Sequence, residues 1–188
     1  MSVIDYLKNK WKYVEEPWRV RVHMAYFLLI VFAFSAQPAA PYIWLGTAMV
    51  WTGVLIRAWA SGIIKKDDEL AVEGPYSLCR NPLYVGNFLI GYGICVINSH
   101  WWSYALLTAY FLLIYPFTIQ KEESKLAKFF GETYSRYKDE VRRFIPRFSP
   151  YETLRGWSLR QYLIDNKDFL NEGAVLLLWA WTLYLFLS

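Results

Sequence analysis

The chain has 188 residues, of which 56% are hydrophobic and 20% aromatic, with ten tryptophans and a formal net charge of +4. This length fits one domain, and so apolar a composition excludes an ordinary soluble protein. The charged residues fall between apolar runs, as expected where the bilayer is the solvent for most of the chain. We therefore predict an all-α integral membrane protein with about five transmembrane helices.

The apolar runs predict where the spans lie. In chain order they cover about residues 22–36, 42–64, 83–97, 101–119 and 174–187. Pro116 is expected to bend the cytoplasmic end of the fourth span. The last run is short and fits either a tilted span or a re-entrant packing helix, of which we prefer the span.

The lysines and arginines predict the orientation. Segments 1–21, 65–82 and 121–170 are basic, whereas the connections 37–41 and 98–100 carry no charged residue. The positive-inside rule then places the N-terminus and the three basic segments in the cytoplasm. Because the basic residues flank spans, this explanation is preferred to nucleic-acid binding.

Beyond the fourth span the pattern becomes amphipathic. From Glu122 onward, apolar residues recur at three- and four-residue spacing, with Gly131 as a candidate joint. Residues 148–170 mix aromatic and charged positions, which suits a helix on the inner leaflet.

Cysteine and histidine placement argues against two kinds of site. Cys79 and Cys95 are too few for a disulfide framework and are expected to lie far apart, so a disulfide is not expected. His23 and His100 fall at opposite faces of the predicted membrane, so no metal site is indicated.

Glu122 and Glu123 are the first candidates for chemistry. Carboxylates at a helix N-terminus are stabilised by the helix dipole, and composition alone favours such a capping role. The functional alternative is a carboxylate that holds a cationic or hydroxyl-bearing ligand at the mouth of the helical hairpin.

The run Arg80-Asn81-Pro82-Leu83-Tyr84 is the second candidate. Asn81 at the N-cap and Pro82 at the first helical position explain the start of the third span. They do not explain Arg80 and Tyr84, which are expected to face a cytoplasmic cavity.

Arg57 and three glycines complete the candidates. Arg57 lies about two turns inside the second span, where snorkelling is the simpler explanation and a functional role the alternative. Gly86, Gly91 and Gly93 lie within an apolar helix with no strand before it, so they indicate close helix packing rather than a nucleotide loop.

The order of these motifs resembles a known family. Gly74-Pro75-Tyr76 is followed after four residues by Asn81-Pro82-Leu83-Tyr84-x-Gly86, and a hairpin leads to Glu122-Glu123 and a terminal Pro146. This pattern is similar to that of the isoprenylcysteine carboxyl methyltransferases, which are related to phospholipid N-methyltransferases. The similarity covers about residues 57–146, which would form the catalytic block of one domain, 1–188.

The resemblance implies an S-adenosylmethionine-dependent methyltransferase without a Rossmann domain. It also implies a cytoplasmic cofactor pocket formed by the C-terminal half of the chain. The cofactor-binding positions carried over are Ser61, Asp68, Glu69, Leu70, Ala71, Tyr76, Asn81, Pro82, Leu83, Tyr84 and Glu122.

The acceptor is less defined than the cofactor. Asn81 stands where the family usually has His, and Thr118 stands where the eukaryotic enzymes place a substrate-contacting Arg. An anchor for a prenylcysteine carboxylate is therefore missing. Arg80, Glu123 and Arg57 are the catalytic candidates. The arginines would orient an anionic group, and Glu123 or Tyr84 is the available base.

The sequence thus predicts methyl transfer to a lipophilic acceptor, either a carboxylate or the amine of a lipid or isoprenoid. The expected partners are this small molecule and membrane lipids, and the oligomeric state is left open. Two alternatives remain. One is an NADPH-dependent reductase of the sterol-reductase type, with Arg142-Arg143-Arg147 at a phosphate, and the other is a non-catalytic membrane adaptor.

Overall fold

The computed structural model describes residues 22–65, 69–147, 149–154, 156–166 and 168–188. Every regular element in these ranges is helical, which confirms the predicted all-α fold. The elements are α1 (Val22–Phe34), α2 (Tyr42–Ser61), α3 (Pro75–Leu78), α4 (Pro82–Asn98), α5 (Trp101–Glu140), a π-helical turn (Gln161–Asp165) and α6 (Asp168–Leu187). The basic segment 1–21 and the candidate Asp68 lie outside the described residues.

Three of the helices, α2, α5 and α6, are long and apolar enough to cross a membrane. The helices α1 and α4 are apolar but shorter. Large apolar side chains on the outer faces, such as Leu112, Phe117 and Leu177, are about two-thirds exposed or more, as suits contact with lipid. These helices are typical of an integral membrane protein. The count of five spans and their orientation stay predictions.

Two pairs of glycines bring α2 and α4 together as an antiparallel hairpin. A Cβ built on Gly53 would lie 2.6 Å from the carbonyl oxygen of Gly86, and one on Gly93 would lie 2.8 Å from the carbonyl oxygen of Gly46. Backbones this close leave no room for a side chain. The packing role predicted for Gly86 and Gly93 is therefore confirmed.

The helix α5 is longer than predicted. It runs without interruption from Trp101 past Glu122 and Glu123, and its non-helical residue is Gly131, at φ 51° and ψ −122°. The joint predicted at Gly131 is thus confirmed. The expectation that the two glutamates open a new helix is wrong, because they lie in the middle of α5, away from a dipole end. Pro116 lies inside the helix, and the only non-helical residue recorded in α5 is Gly131.

After α5 the chain turns back along α3. Residues 149–154, the first part of the helix predicted over residues 148–170, are therefore not helical, whereas Gln161–Asp165 within that range form a π-helical turn. Backbone hydrogen bonds join Arg80 to Arg142, Arg147 to Leu78, Tyr151 to Ser77 and Gly74 to Thr153. The described residues of 141–154 therefore form an antiparallel strap beside α3. These hydrogen bonds satisfy polar backbone groups of both segments.

The last helix begins earlier than predicted, at Asp168 rather than near residue 174. On this helix, the indole N–H of Trp179 donates a hydrogen bond to the Thr47 hydroxyl of α2 at 2.9 Å. The Trp179 ring also packs edge-on against Trp51. With 20 residues, α6 is long enough to span an apolar layer of about 30 Å.

Candidate functional site

Glu123 is the centre of a three-residue ion network. Its carboxylate accepts hydrogen bonds from Arg80 at 3.0 Å and from Arg143 at 2.6 and 3.1 Å. Arg80 also donates to the carbonyl oxygens of Lys138 and Val141. Because Arg80 and Glu123 are largely buried, this network fixes the start of α4, the middle of α5 and the strap relative to one another.

Glu122 faces a different partner from its neighbour. The hydroxyl of Tyr84 lies 2.7 Å from both oxygens of the Glu122 carboxylate. The Tyr84 ring packs edge-on against Tyr115 with centroids 5.0 Å apart, so its position is set by packing as well as by the hydrogen bond. The Arg80–Tyr84 run and the Glu122–Glu123 pair therefore meet across α4 and α5.

The side chain of Asn81 does not cap its helix, although the residue occupies the N-cap position as predicted. Its amide donates to the carbonyl oxygen of Arg143 at 3.2 Å. Pro82 starts α4 and is fully buried, whereas Leu83 packs with Ala71 against a small apolar cluster that includes Tyr76. Asn81 thus ties the strap to the beginning of α4.

Tyr76 is held in α3 beneath the strap. Its carbonyl oxygen accepts a hydrogen bond from the Tyr137 hydroxyl at 2.7 Å. Burial holds the pKa of the Tyr76 phenol well above its usual range, and the neighbouring Tyr137 and the negative charge of Asp168 add to this shift. The charge of Glu122 acts on the same phenol, so the Tyr76 side chain lies within electrostatic reach of both carboxylates.

The lip residues are divided between two apolar clusters. Ala71 packs with Tyr76, whereas Leu70 packs against the group of Tyr134, Tyr137 and Val141. Glu69 is exposed and pairs with Lys65 at 2.7 Å.

Four buried hydroxyls in this region, those of Ser61, Tyr76, Ser77 and Tyr134, have no hydrogen-bond partner among the described residues, and two of them belong to predicted site residues. These two are the Oγ of Ser61, which is fully buried, and the Oη of Tyr76, which is 6% exposed. A buried polar group without a protein partner costs free energy, so these hydroxyls are candidate contacts for a bound ligand or an ordered water. Both residues belong to the predicted cofactor set.

Arg57 lies in a second polar cluster, between α2, α4 and α6. Its guanidinium donates to Asn87 at 2.6 Å and pairs with Asp168 at 3.1 Å, and its Nε lies 3.9 Å from Glu172. Tyr162 donates a hydrogen bond to the other oxygen of Glu172. Arg57 therefore points inward to carboxylates of α6, and the simple snorkelling explanation is wrong.

Sequence reasoning missed Asn87, Asp168, Glu172 and Tyr162. Asp168 and Glu172 are four residues apart at the start of an otherwise apolar helix, so they share one face. Two carboxylates on one face of such a helix were the available signal, because each requires a partner in an apolar setting.

The predicted site residues thus form two groups. Arg80, Asn81, Tyr84, Glu122 and Glu123 lie together around α4, α5 and the strap. Arg57 and Ser61 lie one turn apart on α2 beside the start of α6. The Tyr76 phenol interacts electrostatically with charged residues of both groups, Glu122 in the first and Arg57 in the second.

Comparison with known proteins gives a family match in this region. The family model described as phospholipid methyltransferase matches residues 41–133, which run from the start of α2 into α5. The cobalt-zinc-cadmium resistance protein CzcN of Cupriavidus metallidurans is 35% identical over 138 residues, covering 70% of this chain and 62% of that protein. The nickel-cobalt-cadmium resistance protein NccN of Alcaligenes xylosoxydans is 31% identical over 172 residues, covering 84% of this chain and 78% of that protein.

A third relative is named as a methyltransferase. The protein-S-isoprenylcysteine O-methyltransferase of Schizosaccharomyces pombe is 27% identical over 127 residues, covering 65% of this chain and 54% of that protein. The chain thus spans less than two thirds of the length of CzcN and of the yeast protein. No solved structure gives a significant match.

Proposed function

We propose that this chain, which belongs to the phospholipid methyltransferase family of isoprenylcysteine-methyltransferase-like membrane proteins, transfers a methyl group from S-adenosylmethionine to a lipophilic acceptor. The observation that carries the proposal is the contact of Tyr84 with Glu122 at 2.7 Å. It joins the two motifs that the family resemblance assigns to the cofactor.

The residues around this contact fit the cofactor. S-adenosylmethionine carries hydroxyl, amino and carboxylate groups, and the Ser61 and Tyr76 hydroxyls have hydrogen bonds to offer. Glu122 would hold a hydroxyl or cationic group, since a carboxylate accepts both. When bound, the cofactor would supply an electrophilic methyl group on its sulfonium.

The chain's own contribution is positioning. Both carboxylate oxygens of Glu123 are engaged by Arg80 and Arg143, so we assign Glu123 to holding the pocket wall rather than to proton removal. Arg80 is tied to the same wall by two backbone carbonyls. Fixed walls favour the reaction because methyl transfer needs donor and acceptor aligned at about 3–3.5 Å.

We place this pocket at the cytoplasmic face, from the basic segments 65–82 and 121–170. A five-span topology then puts the strap inside the cell and the end of α6 outside. Alkaline phosphatase fused after Pro150 should be inactive in bacterial cells, and the same fusion after Ser188 should be active. The reverse pattern would place the pocket on the outer face.

The activity is tested by methyl transfer in membranes. Membranes that contain the protein should move label from methyl-labelled S-adenosylmethionine into a lipid-soluble product, and membranes lacking it should not. Fluorescence titration of the purified protein should give saturable binding of S-adenosylhomocysteine and none of NADPH. Saturable NADPH binding would favour the reductase, and binding of neither ligand would favour the adaptor.

The names of two relatives suggest the cellular process to which such methylation contributes. CzcN and NccN are named for resistance to cobalt and cadmium, and both match most of this chain. We propose that methylation by this protein contributes to metal tolerance of the cell. A deletion strain should grow more poorly in cadmium or zinc, and the Glu122→Gln variant should fail to restore growth. Full restoration by that variant would separate metal tolerance from the methyl-donor site.

A further inference from the structure

We propose that Glu172, together with Arg57 and Asp168, forms a subsite that binds the ammonium group of a lipophilic amine. The inference rests on the proposed function, since it gives the chemical class of the methyl acceptor. The two carboxylates lie on α6, beyond residue 133, where the family match ends. They are therefore a feature of this chain that the family match does not include.

The geometry leaves one carboxylate incompletely paired. Arg57 makes a close ion pair with Asp168 at 3.1 Å, but its Nε is 3.9 Å from the Oε1 of Glu172. The second distance is too long for a hydrogen bond. The guanidinium of Arg57 thus pairs mainly with Asp168, and its positive charge compensates the Glu172 carboxylate only weakly.

The charges of the cluster do not balance among the described residues. One guanidinium faces two carboxylates, and the Glu172 side chain is only 3% exposed. An uncompensated charge in such a place is costly, so the cluster favours an additional positive charge. An ammonium group supplies that charge together with hydrogen-bond donors.

An independent observation identifies the point of contact. The Oε2 of Glu172 accepts a hydrogen bond from Tyr162, but Oε1 has no hydrogen-bond partner among the described residues. A buried carboxylate oxygen in this state is an acceptor without a donor. The donor that completes it would come from the ligand.

The subsite is connected to the proposed cofactor pocket by direct contacts. Arg57 donates to Asn87, and Asn87 donates to the Tyr115 hydroxyl at 3.2 Å. Tyr115 packs against Tyr84, whose hydroxyl bonds Glu122. A continuous series of side-chain contacts therefore links the subsite at Glu172 to Glu122 in the proposed cofactor pocket.

Binding as the ammonium also suits the chemistry. The nitrogen must lose a proton before its lone pair attacks, and the Glu172 carboxylate is placed to take that proton. The nitrogen then forms a bond to the methyl carbon while the carbon–sulfur bond breaks and its electron pair stays on sulfur. The products are a methylated ammonium and a neutral thioether.

The test compares three long-chain probes of equal length: oleylamine, oleate and oleyl alcohol. Each is titrated into the protein in micelles of an uncharged detergent, with tryptophan fluorescence as the readout. The Trp51–Trp179 contact lies between α2 and α6 and gives a native reporter near the subsite. The wild type should bind oleylamine about tenfold more tightly than either other probe, as expected for a charge-assisted contact.

The variants separate charge from general damage. Glu172→Gln should remove the preference for the amine, whereas Glu172→Asp and Tyr162→Phe keep the carboxylate and should retain it. Glu132→Gln, at an exposed ion pair far along α5, should retain it as well. S-adenosylhomocysteine binding should be unchanged in Glu172→Gln.

Two results would overturn the proposal. Equal affinity of the wild type for all three probes would mean that a proton on Glu172, rather than a ligand, balances the cluster. An amine preference that survives Glu172→Gln would locate the selectivity elsewhere. In either case, saturable binding of S-adenosylhomocysteine by the wild type would leave the proposed methyltransferase function intact. If the wild type did not bind S-adenosylhomocysteine, the proposed methyltransferase function itself would be contradicted.

Discussion

The hydroxyl of Tyr84 lies 2.7 Å from both carboxylate oxygens of Glu122, a residue 38 positions later in the chain. This contact joins the start of α4 to the middle of α5. The neighbouring Glu123 makes a separate contact with Arg80 and Arg143. Two adjacent glutamates thus have different partners: we propose that Glu122 holds the cofactor and that Glu123 holds the wall of the pocket.

The Glu123→Gln substitution should destabilise the docking of the strap. It removes the charge that two arginines share, and the buried Arg80 then keeps a positive charge without its carboxylate. We expect the free energy of unfolding to fall by about 2 kcal/mol. Trypsin cleavage after Arg142 and Arg143 in detergent micelles should become faster at the same time.

The matched control for this variant is Glu132→Gln on the same helix. Glu132 pairs with Arg136 at 3.8 Å, and both side chains are largely exposed. Its loss should change the unfolding free energy by about 0.5 kcal/mol or less. Equal destabilisation by the two variants would show that the Glu123 network does not hold the strap.

The Gly53→Ala substitution should separate α2 from α4. The added methyl group would meet the carbonyl oxygen of Gly86 at 2.6 Å, and backbone cannot yield as a flexible side chain can. We expect a loss of about 1–3 kcal/mol in unfolding free energy, measured as a lower thermal midpoint in micelles.

Gly173→Ala is the control for helix propensity, because a Cβ at Gly173 on α6 meets nothing within 4 Å. Alanine favours helix over glycine by about 1 kcal/mol, so this variant should be neutral or more stable. A similar loss at both positions would exclude close packing as the cause at Gly53.

The reactivity of Cys79 should depend strongly on pH. Burial raises the pKa of its thiol from 9.0 to about 11, so the thiol stays protonated at neutral pH. In a Cys95→Ala background, maleimide labelling of native protein should be slow and should rise about tenfold per pH unit up to about pH 11. The denatured protein should label rapidly, with its rise ending near pH 9.

The same shift has a consequence for stability. Because the folded-state pKa of Cys79 is the higher one, its contribution to stability is full below about pH 9 and is lost as the pH rises towards about 11. If native labelling levelled off near pH 9, the thiol would be exposed to solvent and this account of its burial would be incorrect.

The sequence predicted what depends on local pattern. The helical fold, the break at Gly131 and the close packing at Gly86 and Gly93 follow from apolar periodicity and from the missing side chain of glycine. The positions of α2 and α4 were predicted to within a few residues for the same reason.

What could not be predicted depends on contacts that are distant in the chain. Arg57 and Asp168 are 111 residues apart, and neither residue indicates the other in the sequence. Residues 149–154 of the strap were expected to be helical because their aromatic and charged residues suit a membrane surface equally well. Only the backbone pairing of the strap with α3 distinguishes the two arrangements. Glu122 and Glu123 suggested a helix start because composition changes there, although the backbone of α5 continues.

The central claim is that Glu122 holds the methyl donor. It is tested most directly by fluorescence titration of S-adenosylhomocysteine into wild type, Glu122→Gln and Glu132→Gln in the same micelles. The account predicts saturable binding by wild type and Glu132→Gln, and about tenfold or more weaker binding by Glu122→Gln, since a charged hydrogen-bond partner is lost. Equal affinity of all three proteins, or no saturable binding by the wild type, would contradict it.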